Sequence, residues 1–133
     1  MEGVNYIFEF FKQRHFHIGL ASSSPKALIN VVIEKLQIGD FIEANTSAEF
    51  LKYGKPHPQV YLDCAALLNV QPTQCVCFED SFNGLIAAKA ARMKCVAIPD
   101  KHFAGQLRWN AADLTLSALT QFDEKKLHLL EGR

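Results

Sequence analysis

Three short clusters in this 133-residue chain carry groups suited to handling a charged oxygen. Ser22-Ser23-Ser24-Pro25 closes the apolar run His17-Ile18-Gly19-Leu20-Ala21. Serine hydroxyls and free backbone N–H groups at a helix start form an anion site. The same residues read equally as a plain helix start, with Ser24 at the N-cap and Pro25 at the first helical position. The second cluster is Gly54-Lys55-Pro56-His57-Pro58. A loop lysine is usually a solvated charge. Here Gly54 frees the backbone before it and two prolines stiffen the chain after it, so the ammonium is held. The third is Glu79-Asp80, at the end of Cys75-Val76-Cys77-Phe78. Adjacent carboxylates repel each other, and a hard divalent cation relieves that by using their oxygens as ligands. The plain alternative is that Asp80 or Ser81 caps the next helix. Taken in this order, the clusters spell a site for phosphate and Mg²⁺.

Such groups converge only if elements of the right kind carry them. Residues 4–14 place Val4, Ile7, Phe8 and Phe11 at helical spacing. A strand is predicted over 17–21, then a helix from Pro25 bearing Leu28, Val31, Val32 and Leu36 and ended by Gly39. Phe41 to Asn45 reads as a weaker strand. The lysine loop feeds a helix carrying Val60, Tyr61, Cys64, Leu67 and Leu68, and Cys75–Phe78 is a buried-type strand. Asn83-Gly84 breaks the chain before an Ala-rich helix over 85–92, small enough on its surface to pack closely on a sheet. Strands follow at 95–98 and 114–116, with a tail helix at 123–130. Strands alternating with amphipathic helices predict one α/β domain over 1–133, doubly wound, with a mostly parallel sheet covered on both faces. In such sheets ligands bind beyond the carboxyl ends of the strands, which is where all three clusters fall.

Composition narrows the partners. Fourteen Lys and Arg balance fourteen Asp and Glu, and the pI is about 6.9. A neutral chain lacks the electrostatic footprint for nucleic acid or an anionic membrane surface. No apolar run approaches the roughly 20 residues of a membrane span, and Glu2, Glu9 and Lys12 spoil any signal-peptide pattern. Four cysteines without C-x-x-C spacing imply a reducing, cytoplasmic setting. His15 and His17 are read as facing solvent, and Trp109 with Phe103 as a loop anchor or core contact.

Gly19-Leu20-Ala21-Ser22-Ser23-Ser24, Gly54-Lys55-Pro56-His57-Pro58 and Phe78-Glu79-Asp80-Ser81-Phe82-Asn83-Gly84 closely resemble the last three motifs of haloacid dehalogenase-superfamily phosphohydrolases. The flavour resembles the β-phosphoglucomutase and 2-deoxyglucose-6-phosphate phosphatase branch, and the likeness runs from about Gly3 to Leu119. The resemblance implies a Rossmann-like core and phosphoryl transfer on a sugar phosphate. By it, Ser22 and the Ser23 N–H would hold phosphoryl oxygens. Lys55, the catalytic cation, would neutralise the phosphoryl group and the carboxylate that attacks it. Asp80, with Glu79 beside it, would hold Mg²⁺. Family members use an aspartate nucleophile that becomes an aspartyl-phosphate.

That aspartate belongs to a first motif, Asp-x-Asp, which also supplies the general acid/base. No aspartate in these 133 residues has another two positions on. The cap domain that chooses substrate in this branch is not found in the sequence either, and Met1-Glu2-Gly3 falls about where the family's chain returns from its cap. The expectation is therefore a partial core with little or no activity alone, or an inactive phosphate-binding or protein-interaction domain derived from such an enzyme. A flavodoxin-like binder is a third reading, which leaves Lys55 and Glu79-Asp80 unemployed. In the family the first strand lies between the strand ending at Ser22 and the one ending at Glu79. Two remedies are expected for its loss: the neighbours close up and pair directly, or another chain fills the slot by strand addition or swapping.

Overall fold

The computed structural model describes residues 2–132. Helix α1 (Val4–Gln13) buries Ile7 and Phe11 as its spacing predicts, but Phe10 joins them while Val4 and Phe8 are only partly buried. Strand β1 (Gly19–Ser22) leads to α2 (Lys26–Leu36) and β2 (Ala44–Ser47). The lysine loop then feeds α3 (Gln59–Leu67). Strand β3 (Val76–Glu79), α4 (Phe82–Ala90), β4 (Lys94–Ala97), β5 (Leu114–Thr115) and α5 (Glu124–Gly132) complete the order. All strand pairs are parallel: β1 with β2, and β3 with β4 with β5. The class is α/β with helices on both faces. Strand β4 shows the reason. Cys95 and Ala97 pack with Leu85, Ala87 and Ala88 of α4 and with Tyr61 and Ala65 of α3. Val96 and Ile98, on the opposite face, pack with Phe10 and Phe11 of α1, Phe122, and Leu127 of α5. Alternation sends successive side chains to two separate apolar layers.

Several local expectations are corrected. Ser24 does not cap α2: the N-cap is Pro25, with no side-chain cap bond. Instead the Lys26 N–H donates to Glu49 Oε2 at 3.0 Å, and the Ser24 N–H donates to Ser22 Oγ. Gly39 does not end the helix; Gln37 does, in the left-handed conformation at φ 55°. The second strand is not Phe41–Asn45 but Ala44–Ser47, where Thr46 and Ser47 hydroxyls donate to the carbonyls of Val60 and Ser24. Asn83-Gly84 does not precede the Ala-rich helix but lies inside its first turn.

The largest correction concerns the sheet. Strands β1 and β3 do not close up and pair; the five strands fall into a two-stranded and a three-stranded sheet. The carbonyls of Ile18 and Ser22 serve the β2 side, accepting from Glu43 and Ala48. Strand alternation therefore turns the carbonyls of Gly19 and Ala21 away from β2. Likewise Cys75 and Glu79 carbonyls accept from Lys94 and Ile98 on the β4 side, so those of Val76 and Phe78 face away from β4. Helix α2, resting on only two strands, buries Ile29 and leaves Leu28, Val31, Val32 and Leu36 exposed.

Candidate active site

The carboxyl ends of β1 and β3 open into one cavity of about 570 Å³. It is lined by Ser22, Ser23, Ser24, Lys55, Glu79, Asp80, Ser81, Phe82, Asn83 and Arg108. That volume lies within the range of small-molecule sites, about 300–1,000 Å³. Every residue singled out in the sequence for phosphate or metal is on its wall.

Lys55 bridges the two sheets, beside α3, which packs on both. Its Nζ donates to Ala21 O at 3.1 Å on β1 and to Glu79 Oε2 at 2.6 Å on β3. The side chains are 13% and 8% exposed, so this ion pair is largely shielded from water. Tyr61 of α3 donates its hydroxyl to the same Glu79 oxygen. Burial raises the Tyr61 pKa well above the ordinary phenol value, with the nearby Cys77 and Glu79 adding to it, so the phenol keeps its proton. The lysine ammonium also sits 4.7 Å from the Tyr61 ring centroid.

Glu79 and Asp80 are neighbours in sequence with different roles in the structure. Glu79 is buried, turned inward onto Lys55 and Tyr61, whereas Asp80 is exposed on the cavity wall. A Cβ at Gly84 would fall on the Glu79 carboxylate, so the first turn of α4 requires glycine there. Ser81 caps α4, its Oγ accepting from the Gly84 N–H at 3.0 Å. Mg²⁺ is a hard ion that needs several oxygen ligands. Asp80 fits as one of them, but Glu79 is already committed to Lys55. Among the described residues no group of three or more His, Cys, Asp or Glu is placed to hold a metal. The side chains present thus fit one carboxylate of such a centre, not its full shell.

The sequence does not point to Tyr61 or Arg108 as site residues. Tyr61 reads simply as one apolar position of α3. Arg108 stands alone in a loop, its only signal the aromatic residues Phe103 and Trp109 around it. His17 pairs with Glu43 at the surface, and His57 stacks on Tyr53 with ring centroids 5.5 Å apart. Trp109 is a core contact, its Nε1 donating to Phe103 O at 2.7 Å.

A parallel α/β layer thus presents serines, a fixed lysine and an exposed carboxylate to one cavity at its strand ends. Residues 1–92 match the haloacid dehalogenase-like hydrolases, and the chain belongs to that family. It is 44% identical to hexitol phosphatase B of Escherichia coli K12 over 127 residues, which is 96% of this chain and 57% of that protein. It is 35% identical to a fructose-1-phosphate phosphatase of the same strain over 95 residues, 71% of this chain and 50% of the other. A solved β-phosphoglucomutase from Clostridium difficile superposes with a TM-score of 0.82 at 29% identity, covering 96% of this chain and 54% of its own. The chain spans about half the length of these relatives. No helix among the described residues is long and apolar enough to cross a membrane.

Proposed function

We propose that this chain is the phosphate-holding part of a Mg²⁺-dependent sugar-phosphate phosphatase or phosphomutase, and that alone it turns over phosphate esters slowly or not at all. The observation that carries the reading is the meeting of Ser22, Ser23, Lys55 and Asp80 at one cavity between the ends of β1 and β3. The Ser22 hydroxyl and the Ser23 N–H would donate to phosphoryl oxygens. Lys55, fixed by Ala21 O and Glu79, would set an ammonium against the charge that develops in transfer. Asp80 would give one carboxylate to Mg²⁺, whose role when bound is to offset phosphoryl charge. No second free carboxylate among the described residues lines the cavity to attack phosphorus, and electrostatic groups without a nucleophile leave only residual catalysis.

An alternative, an inactive phosphate-binding or interaction domain, is favoured by one observation: β1 and β3 present facing, unpaired edges. A homodimer exchanging strands, or a separate chain, would fill that slot; of the two, only a separate chain with an Asp-x-Asp strand would bring the missing carboxylates to the cavity. The names of the relatives support a sugar phosphate as the small-molecule partner, and four free thiols support a cytoplasmic setting.

The test is Mg²⁺-dependent phosphate release from hexose 6-phosphates and an aryl phosphate, with Asp80→Asn purified in parallel, alongside calorimetric titration of inorganic phosphate. Inert wild type and variant, with phosphate binding that Lys55→Ala weakens, is the expected result. Turnover that disappears in Asp80→Asn overturns the inactivity. Absence of phosphate binding overturns the site.

A further inference from the structure

The charge balance of the cavity points to a residue outside the three motifs. Lys55 is neutralised by Glu79 at 2.6 Å. Asp80 adds a negative charge that repels anions. Arg108 is the remaining cation on the wall, and among the described residues it has no carboxylate within ion-pair distance. It sits in a short 3₁₀ turn, Leu107–Ala111, that follows β4.

Arg108 is exposed, and its guanidinium lies against three aromatic rings. The central carbon lies 4.9 Å from the Phe82 ring centroid, 5.3 Å from Trp109 and 6.0 Å from Phe103. Trp109 belongs to the buried core and Phe82 packs on it, whereas Phe103 is half-exposed. Trp109 is 3% exposed, and Phe82 meets it edge-on at 6.0 Å and 88°. Aromatic contact occupies the face of a guanidinium, whereas its N–H donors lie in the plane and remain available at the edge. A planar fork of donors, positioned without a partner beside a phosphate site, suits the two oxygens of a phosphate or carboxylate.

We propose that Arg108 binds a second anionic group of the ligand, so that the cavity selects organic phosphates carrying another phosphate or a carboxylate over simple monophosphates. This rests on the reading of Ser22, Ser23 and Lys55 as the first phosphate site. The two ideas fail separately.

Pyrophosphate and inorganic phosphate are titrated calorimetrically into the full chain, in buffer passed over a chelating resin so that no cation bridges the anion. Wild type is expected to bind pyrophosphate about tenfold more tightly, the scale of one charge-assisted contact. Arg108→Gln, which keeps a planar group and most of the stem, should abolish that preference, weakening pyrophosphate by about tenfold more than phosphate. Arg108→Lys should restore it only in part, and Lys55→Ala should weaken both anions. Equal affinities in wild type, or a preference that survives Arg108→Gln, overturns the role of Arg108 and leaves the first site standing. Binding of neither anion overturns both.

Discussion

Breaking the Lys55–Glu79 pair from either side should cost more than breaking it from both. At 2.6 Å the Coulomb attraction is about 6 kcal/mol for an effective dielectric constant of about 20. Desolvating two ions consumes most of that, so the pair's net worth is small. Removing one partner is different, because the other charge stays where it is. In Lys55→Met, the Glu79 carboxylate, 8% exposed, keeps Tyr61 but no cation. In Glu79→Gln, the Lys55 ammonium, 13% exposed, keeps only Ala21 O and the Tyr61 ring. Each single variant should lose about 3 kcal/mol, and the double variant about 1, giving a coupling of about 5. Urea unfolding followed by circular dichroism reads this as a midpoint about 1–2 M lower for each single variant, with most of it recovered in the double. Single losses below about 0.5 kcal/mol that simply add would mean that water screens the pair, and the idea of a rigid lysine bridging two sheets would be wrong.

Gly84→Ala places a methyl group on the Glu79 carboxylate. It should lower stability by about 2–4 kcal/mol, read as a lower melting temperature, and an unchanged melt would refute the packing of α4 on β3. Asp113 bears on pH. Burial pushes its carboxyl pKa up, but the Lys89 hydrogen bond, the Cys95 N–H and the Lys89 and Lys94 charges outweigh it, and the net shift is downward. A lowered folded-state pKa gives stability that is present above the unfolded value of about 3.9 and lost as pH falls through the folded one. Urea midpoints should therefore drop as pH is taken below about 4, and Asp113→Asn should flatten that limb; identical curves would remove Asp113 from the account.

The site is more legible in the sequence than the sheet that carries it. Serine, lysine and carboxylate motifs are local; the serines and carboxylates lie at strand ends and the lysine in the loop between β2 and α3, so alternation of strands and helices is enough to bring Ser22, Lys55 and Asp80 to one rim. Their division of labour is not local. Nothing in Glu79-Asp80 says which carboxylate turns inward; Tyr61, eighteen residues earlier, and the missing Cβ of Gly84 decide it. The cap of α2 escapes a local reading for a similar reason, because Glu49 reaches back across 23 residues to the Lys26 N–H and frees Ser24. Arg108 carries no motif, and only its stacking on Phe82 and Trp109 gives it a place.

The division of the sheet explains why so much falls on one lysine. Ser22 and Ser23 lie at the end of β1 and just beyond it, Glu79 and Asp80 at and beyond the end of β3, and no backbone pairing joins those strands. Without Lys55, the serine half and the carboxylate half of the cavity lose the one ion-paired tie described between β1 and β3. A strand entering the slot in parallel would meet the carbonyls of Gly19 and Ala21 on one side and of Val76 and Phe78 on the other. Its carboxyl end would emerge between Ser22 and Asp80, where a nucleophile would have to stand. It would also compete with Lys55 for the Ala21 carbonyl, whose bond is 3.1 Å now. Occupation of the slot and the position of the Lys55 ammonium are thus linked. A ligand that fixes Lys55 and a strand that fills the gap should change each other's affinity by the same factor.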